Sequence, residues 1–259
     1  MKYFTKEQIN KGWSSDRKYC LTDENGSRYL LRVSDIAQLG VKQQEFDMMK
    51  RVASLGVPMC MPIEFGVCED SVYSVQSWID GVDAEEVMKK LSDTEQYEYG
   101  LEAGRILRKI HSIPAPAEQE DWESRFNRKI DNKIKKYSEC PIKCDNGQAF
   151  IEYINANRGL LKNRLQVYQH GDYHIGNMMI DRDGRLIIID FNRKTSATPG
   201  RSLIASFGLL KRLLCLPRAW WMATLMTMCR TNSGSCLLCI SQAIRFHLSI
   251  GRFRLEKTR

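Results

Sequence analysis

The sequence predicts an α+β fold with two lobes, in which a small antiparallel sheet with one helix precedes a mainly helical, incomplete C-terminal lobe. Three observations support this prediction. Two hairpin patterns flank one helical pattern within residues 1–79, and amphipathic helical patterns dominate residues 80–161. A polar loop at 170–177 is then followed by a short apolar strand that ends at Asp190. A chain of 259 residues is long enough for two such lobes.

The first lobe, residues 1–79, reads as a sheet with one helix. The Asn-Gly pair at 25–26 is the strongest short-range signal for a hairpin turn. The helical pattern after this hairpin places Phe46, Met49 and Val52 on one face, which is expected to pack against the sheet. The predicted elements are strands at 18–22 and 28–33, a helix at 42–54, and strands at 63–67 and 71–78.

The second lobe, residues 80–194, opens with helices. Ser92 and Glu95 have the spacing of a capping box before a long amphipathic segment. That segment ends near His111, which we expect to be a core or cap residue rather than a catalytic one. The predicted elements are a helix starting at 83, a long helix after Ser92, helices at 122–137 and 150–161, and a strand at 186–189.

The chemistry is concentrated between residues 170 and 191. Residues 170–177 read His-Gly-Asp-Tyr-His-Ile-Gly-Asn, so Asp172 and Asn177 share one polar loop, and Asp190 ends the following strand. Phosphoryl transfer uses such a set: one carboxylate accepts the proton of the attacking hydroxyl, while an amide oxygen and a second carboxylate hold Mg²⁺ on the nucleotide phosphates. A solvated turn before a strand is the alternative for a single residue, whereas the combination favours the functional interpretation.

These residues resemble the signature of the aminoglycoside phosphotransferase and choline kinase-like family, His-Gly-Asp-x-x-x-x-Asn followed by Ile-Asp-Phe. The resemblance implies a protein-kinase-like fold, with ATP or GTP and Mg²⁺ as cofactors. It assigns Asp172 as the catalytic base and Asn177 and Asp190 as the metal ligands. His170 would belong to the catalytic loop as its brace, and His174 is expected to be a structural hydrogen-bonding residue.

The resemblance also implies a nucleotide site in the first lobe. Ser14 and Ser15 lie where kinases place a phosphate-covering loop, although a plain turn fits the local sequence equally well. Arg32 occupies the position of the kinase strand lysine, and Glu45 would be its ion-pair partner. The alternative for these two is a surface Arg–Glu pair. The hinge that reads adenine would lie at 76–79, where Gln76 and Trp78 are the candidate residues.

The composition of the chain indicates the cellular compartment in which the protein is expected to act. The start of the chain lacks the apolar core of a signal peptide, and no run of about 20 apolar residues predicts a membrane span. Nine cysteines are scattered without a framework pattern, which favours reduced thiols in a cytoplasm. We therefore expect a cytoplasmic protein whose partner is a small molecule, with neither nucleic acid nor membrane bound.

The net charge of +8 belongs to the end of the chain. Residues 195–259 contain ten Lys and Arg but one acid, Glu256, whereas residues 1–194 are almost neutral. The resemblance stops after Asn192, where the family continues with an acidic lobe that holds the acceptor. In the shifted reading frame, allowed codons for 195–208 give that continuation. We therefore interpret 195–259 as an aberrant tail produced by a frameshift near 192–195, and a genuine basic tail for anionic lipid or nucleic acid is the rival interpretation.

Two functions follow. The first is an ATP-dependent phosphotransferase acting on a small-molecule hydroxyl, of the aminoglycoside phosphotransferase type, with a cationic aminoglycoside as a candidate acceptor and antibiotic resistance as the consequence. Relatives of this fold also phosphorylate choline, homoserine, fructosamines or macrolides, and the sequence does not separate these acceptors. The alternative is an inactive or nucleotide-binding-only remnant, because the acceptor-binding lobe is lost.

Overall fold

The computed structural model describes residues 3–10, 15–191 and 195–202, and the side chains of residues 3, 4 and 200 lie outside the description. The first lobe is a five-stranded antiparallel sheet in the order β1-β2-β3-β5-β4, with helix α1 packed on it. Its elements are β1 (Tyr3–Ile9), β2 (Arg17–Asp23), β3 (Arg28–Asp35), α1 (Leu39–Ala53), β4 (Pro62–Cys68) and β5 (Ser71–Ser77).

The predicted order of strands and helix in this lobe is confirmed. Gly26, at φ +78°, completes the turn between β2 and β3, and the Asp23 carboxylate accepts from the backbone N–H groups of Asn25 and Ser27. Phe46, Met49 and Val52 of α1 are buried, as their spacing predicts. Strand β1 was not predicted, because its sequence Tyr-Phe-Thr-Lys-Glu-Gln-Ile is mostly polar and it holds its edge position through the backbone ladder with β2.

The second lobe contains four helices among the described residues, with short strands between them and the catalytic loop. Its elements are β6 (Gly81–Asp83), α2 (Ala84–Met88), α3 (Asp93–Ile110), α4 (Trp122–Glu139), α5 (Gly147–Ala156), β7 (Val167–Gln169), β8 (Met178–Asp181), β9 (Leu186–Ile188) and β10 (Thr195–Ala197). The capping box at the start of α3 is confirmed, since Ser92 and Glu95 exchange side-chain and backbone hydrogen bonds. His111 is the C-cap of this helix.

One hydrophobic core joins the lobes. It contains Met49 and Val52 from α1, Ile106 and Leu107 from α3, and Ile188 from β9. The connection at residues 57–60 passes through this core, and the N–H of Ile188 donates to the carbonyl of Pro58 at 2.9 Å. The strand that presents Asp190 is therefore fixed directly to the segment that follows α1.

Two small sheets frame the catalytic loop. The order β6-β8-β9 makes an antiparallel sheet after the loop, and β10 pairs antiparallel with β7 before it. This second pairing differs from the expectation that the lobe ends at residue 194. Ala197 is fully buried, and the described chain remains packed on the second lobe through Ser202, because the β-ladder to β7 gives its backbone partners. The remainder of the predicted tail, residues 203–259, lies outside the described residues.

Within the described part of the chain, the helices are too short or too polar to cross a membrane.

Candidate active site

The loop at 170–177 is a compact backbone turn that opens with Gly171 at φ +88° and closes with a 3₁₀ segment at Ile175–Asn177. The carbonyl of Asp172 accepts from the N–H of His174 at 3.1 Å and from the Asn177 side-chain amide at 2.9 Å. The Asp172 side chain is 34% exposed. The loop therefore fixes the backbone of Asp172 while its carboxylate remains accessible.

His174 lies beside that carboxylate. Its Nδ1 accepts from the backbone N–H of Gly176 at 3.0 Å, so in the neutral ring Nε2 carries the proton. Nε2 lies 3.4 Å from Oδ1 of Asp172 and 3.4 Å from Nδ2 of Asn177. His174 therefore lies near both the carboxylate of Asp172 and the amide of Asn177.

Asn177 and Asp190 are brought together by the β8–β9 ladder. Met178 pairs with Ile188 in that ladder, and the N–H of Ile189 donates to the carbonyl of Asn177 at 3.0 Å. Asp190, the next residue, has φ +68°, in the left-handed region that asparagine and aspartate tolerate best among residues with a Cβ. The two predicted metal ligands thus leave adjacent strands at neighbouring positions.

His170 is completely buried and lies edge-on to Phe191, with the two ring centroids 4.5 Å apart. Its Nε2 donates to the carbonyl of Ile189 at 2.9 Å, and its Nδ1 has no partner among the described residues. Burial lowers the pKa of His170 to about 4, so the ring is neutral. A completely buried ring cannot touch substrate, so His170 is not a catalytic residue, and its bond to Ile189 holds the strand end that carries Asp190.

Arg32 links the sheet of the first lobe to the catalytic strand. Its Nε and Nη2 donate to Oδ2 of Asp16 at 3.1 and 2.9 Å, and its Nη1 donates to Oδ1 of Asp190 at 3.2 Å. One planar guanidinium therefore binds two carboxylates.

Asp16 is the buried anion of this network. Its other oxygen accepts from the hydroxyl of Ser34 at 2.8 Å, and Lys42 contacts the carboxylate at 3.1 Å. Burial by itself would raise the pKa of Asp16, but the charge of Arg32, the Ser34 hydroxyl and Lys42 together lower it to about 2. The carboxylate is therefore ionised throughout the neutral range.

The expected pairing of Glu45 with Arg32 is wrong. Glu45 pairs with Lys42 across 3.2 Å on α1, and Arg32 faces Asp16 and Asp190. The reason is geometric, because Asp16 enters from the loop before β2 and occupies the guanidinium, and an i,i+3 partner is already available to Glu45. Burial is the main cause that raises the pKa of Glu45.

The predicted hinge contains Gln76 and Trp78, which have different surroundings. Gln76 is buried, with its amide against the sulfur of Met49. The indole of Trp78 stacks against the guanidinium of Arg28, which also forms an ion pair with Asp80. The hinge thus has a cationic and aromatic outer wall.

The segment predicted to cover the phosphates is described only from Ser15 onward. Ser15 is exposed, immediately before the buried Asp16, and Ser14 lies outside the described residues. A cavity of about 30 Å³ adjoins this region, between the sheet, α1 and Phe191. It is lined by both Asp16 and Arg32.

The sequence matches the phosphotransferase enzyme family over residues 5–201, which is well over half of the chain. The chain belongs to the phosphotransferase enzyme family. The expected enzyme class, a phosphotransferase with an alcohol group as acceptor, is confirmed at the level of the family. The match extends past Asn192, where we expected the resemblance to end, and stops at residue 201.

Solved structures share the kinase-like fold. Aminoglycoside phosphotransferase APH(2'')-Ib in its ADP-bound form has a TM-score of 0.68 at 15% identity, covering 100% of this chain and 88% of its own. The streptomycin–ATP–APH(2'')-IIa ternary complex has a TM-score of 0.63 at 17% identity, with coverages of 93% and 82%. A thermostable APH(4)-Ia mutant with ADP and hygromycin B has a TM-score of 0.61 at 15% identity, with coverages of 98% and 89%. Among curated proteins, comparison finds no match.

Three polar residues of the Arg32 network were given no role of their own in the sequence interpretation: Asp16, Lys18 and Lys42. Lys18 is the direct cross-strand partner of Arg32 in the β2–β3 ladder, so both side chains leave the same face of the sheet. Burial, and then the charge of Arg32, lowers the pKa of Lys18, whereas Asp190 and Asp16 act in the opposite direction. The hairpin register, which the Asn-Gly turn fixes, was the signal that could have identified Lys18.

The donor set of the phosphotransferase fits Mg²⁺ bound together with a nucleotide. Among the described residues, no three His, Cys, Asp or Glu side chains cluster around a common point. Mg²⁺ typically uses one or two carboxylates together with substrate phosphates and water, so a dedicated cage is not required. The Asn177 amide donates through Nδ2 to Asp172, which leaves Oδ1 as its acceptor atom.

Proposed function

We propose that this phosphotransferase transfers the γ-phosphoryl group of ATP to a hydroxyl group of a small molecule, with Mg²⁺ on Asn177 and Asp190. The observation that carries the proposal is the position of these two residues at neighbouring points of one β-ladder, with a cation from the other lobe on Asp190. Mg²⁺ would supply charge neutralisation on the phosphates and on the departing phosphoryl oxygens.

The cations of the first lobe support nucleotide binding in this proposal. Arg32 and Lys18 leave one face of the sheet, and the Arg32 guanidinium reaches Asp190. Both are suited to bind phosphate oxygens. Glu45 acts through Lys42, with which it pairs, and so holds the second cation on Asp16.

The remaining nucleotide contacts fall at the two ends of the same sheet. Ser14 and Ser15 belong to the segment before β2 that would cover the phosphates, and Gln76 and Trp78 belong to the hinge that would hold the base. Gln76 is buried and Trp78 lies against Arg28, so both would shape the base site rather than reach the phosphates.

Asp172 is the proposed catalytic base. Its carboxylate is accessible, its backbone carbonyl accepts from Asn177, and Nε2 of His174 lies 3.4 Å from the carboxylate. Asp172 would orient the acceptor hydroxyl and take its proton as the new P–O bond forms. Because the transition state of phosphoryl transfer is loose, most of the rate would come from positioning and charge stabilisation.

Aminoglycosides are the first acceptors to examine. Solved structures of similar fold carry gentamicin, streptomycin and hygromycin B in their names. Such an activity would confer antibiotic resistance, and the reduced cysteines among the described residues, including buried Cys60, suit a cytoplasmic enzyme.

The decisive test uses the full chain with ATP, Mg²⁺ and a panel of aminoglycosides and other small alcohols, with ADP release as the readout. Asp172→Asn should lower kcat by about 10²–10⁴-fold with a nearly unchanged Kd for ATP. Asp183→Asn, an equal change on the exposed β8–β9 turn, is the control and should retain activity. Equal turnover of Asp172→Asn and wild type would refute the assignment.

A nucleotide-binding remnant is the second candidate, and the charge of the tail favours it. Residues 195–259 carry ten basic residues and one acid, which is unsuited to a cationic acceptor. This candidate expects ATP binding by calorimetry without acceptor-dependent ADP release. A version in which the reading frame is restored after residue 192 would then gain turnover, whereas turnover by the present chain would exclude the remnant.

A further inference from the structure

A second concave surface lies along α4 in the second lobe, away from the residues of the candidate active site. We call it the α4 groove. It has a volume of about 610 Å³, within the range of small-molecule sites, and it runs between α4 and the segment that contains β10. Its described lining includes six cations and no carboxylate: Arg125, Arg128, Lys129, Lys133, Lys136 and Arg201.

The charges along the groove repel one another. Lys129, Lys133 and Lys136 follow at spacings of four and three, so they share one face of α4. Burial and then the like charges of Arg201 and Arg125 lower the pKa of Lys129, while burial and the charges of Lys129 and Lys136 lower the pKa of Lys133. Like charges at these spacings destabilise a helix, so packing alone gives no reason for this arrangement.

The floor of the groove is aromatic and contains hydrogen-bond donors. Trp122 and Phe126 stack with centroids 4.8 Å apart, and Arg125 lies over the Trp122 ring at 5.2 Å. The indole N–H of Trp122 is buried and has no acceptor among the described residues. Two of these cations have protein acceptors: Glu120 accepts bidentately from Arg128 at 2.7 Å, and the carbonyl of Ser196 accepts from Arg125. The groove is therefore rich in donors and poor in acceptors.

We propose that the α4 groove binds a small organic anion with several phosphate or carboxylate oxygens. Lys129, Lys133 and Lys136 would contact the anionic oxygens, and the partly exposed ring of Phe126 would contact the carbon skeleton. The site is distinct from the one that holds ATP in the proposed function, which lies between the two lobes, and the proposal does not depend on that function.

The volume of the groove, about 610 Å³, is typical of small-molecule sites and favours a small molecule over a polymer or a membrane surface. A nucleic acid or a bilayer would need an extended basic face, whereas this groove is bounded by β10 on one side and α4 on the other. The cations are also too close to one another to suit a cationic aminoglycoside.

The test is titration calorimetry of the full chain with inorganic pyrophosphate, without Mg²⁺ and at low salt. Lys129→Gln/Lys133→Gln should weaken binding at least tenfold. Lys135→Gln/Lys162→Gln removes the same charge from exposed lysines outside the groove, and it should leave the Kd within twofold of wild type. Thermal unfolding of the first variant should show an equal or higher Tm, because a repulsive pair is removed.

Three outcomes overturn the proposal. The first is that wild type shows no saturable binding of pyrophosphate, and the second is that both double variants lose the same affinity. The third is a lower Tm for Lys129→Gln/Lys133→Gln, which would show that the lysines have a structural role. A parallel titration with single-stranded oligonucleotides and with anionic vesicles distinguishes the sources of anionic charge. Binding that tightens with oligonucleotide length, or to vesicles but not to pyrophosphate, would assign the groove to a polymer or a membrane instead.

Discussion

Arg32 and Asp190 are 158 residues apart in sequence, yet Nη1 of Arg32 donates to Oδ1 of Asp190 at 3.2 Å. The contact joins the sheet of the first lobe to the strand end that would hold the metal. Arg32 also holds Asp16 through its other two donors. The same side chain therefore sets the relative position of the phosphate-covering segment and the catalytic strand.

We predict that Arg32→Lys lowers the free energy of unfolding by about 1–3 kcal/mol, since an ammonium cannot bind both carboxylates with a planar fork. The charge is retained, so ATP binding should weaken less than in Arg32→Gln. Urea unfolding and ATP calorimetry measure the two effects. Unchanged stability in Arg32→Lys would show that the second carboxylate contact contributes nothing.

Lys18→Gln should weaken ATP binding about tenfold, because a charge-assisted contact to phosphate is lost. Lys6→Gln is a matched control, since Lys6 lies on the neighbouring edge strand and stacks over Tyr19. Calorimetry with ATP and Mg²⁺ gives both constants. Equal affinities of the two variants would remove Lys18 from the nucleotide site.

Asp16→Asn should destabilise the fold by about 3–5 kcal/mol at pH 6, because Arg32 and Lys42 lose a buried anion. The folded-state pKa of Asp16 is lowered to about 2. The contribution of the ionised Asp16 carboxylate to the free energy of unfolding is therefore complete above pH 4 and is lost as the pH falls towards 2. The difference in unfolding free energy between wild type and variant should narrow by about 1 kcal/mol at pH 3. A difference independent of pH would contradict the assignment.

The burial of His111 predicts a second pH dependence of the free energy of unfolding. Burial lowers its pKa to about 4, against a slight opposite effect of Gln169, and its Nε2 lies 3.0 Å from the hydroxyl of Ser202. Because the folded protein holds His111 neutral while the unfolded chain can protonate it, the free energy of unfolding is highest above pH 6.5. It falls as the pH decreases from 6.5 towards 4. His111 should account for about 2 kcal/mol of loss between pH 7.5 and 5, and His111→Gln should remove this component from urea titrations.

The result for His111 also tests the chain beyond residue 194. Ser202 donates to Gln169 and lies beside His111, so it belongs to the packing of the second lobe. If His111→Gln leaves the pH profile unchanged, the burial of this histidine under residues 195–202 is refuted.

Much of the first lobe followed from local sequence. The Asn-Gly turn fixes the register of β2 and β3, and the spacing of Phe46, Met49 and Val52 fixes the buried face of α1. Such signals depend on a few neighbouring residues, so they can be recognised without knowledge of the rest of the chain. The short strands β6, β7, β8 and β10 were missed because a strand of three or four residues has no measurable period.

The residues of the candidate active site also divide into those that the sequence predicted and those that it did not. The catalytic loop was recognisable because Asp172 and Asn177 lie five residues apart in one turn, and Asp190 ends a clear apolar strand. The partner of Arg32 was predicted wrongly, because the choice between Asp16 and Glu45 depends on how the loop before β2 enters the lobe. Position in the chain carries no information about that direction.

The sequence by itself determined the types of residue that phosphoryl transfer needs and the elements that carry them. Only the tertiary structure decided that His170 is buried, that Asp16 pairs with Arg32 and Lys42, and that Arg201 joins five cations of α4 along one groove. The physical reason is that secondary structure depends on neighbours along the chain, whereas burial, pKa and charge pairing depend on side chains that approach from distant segments.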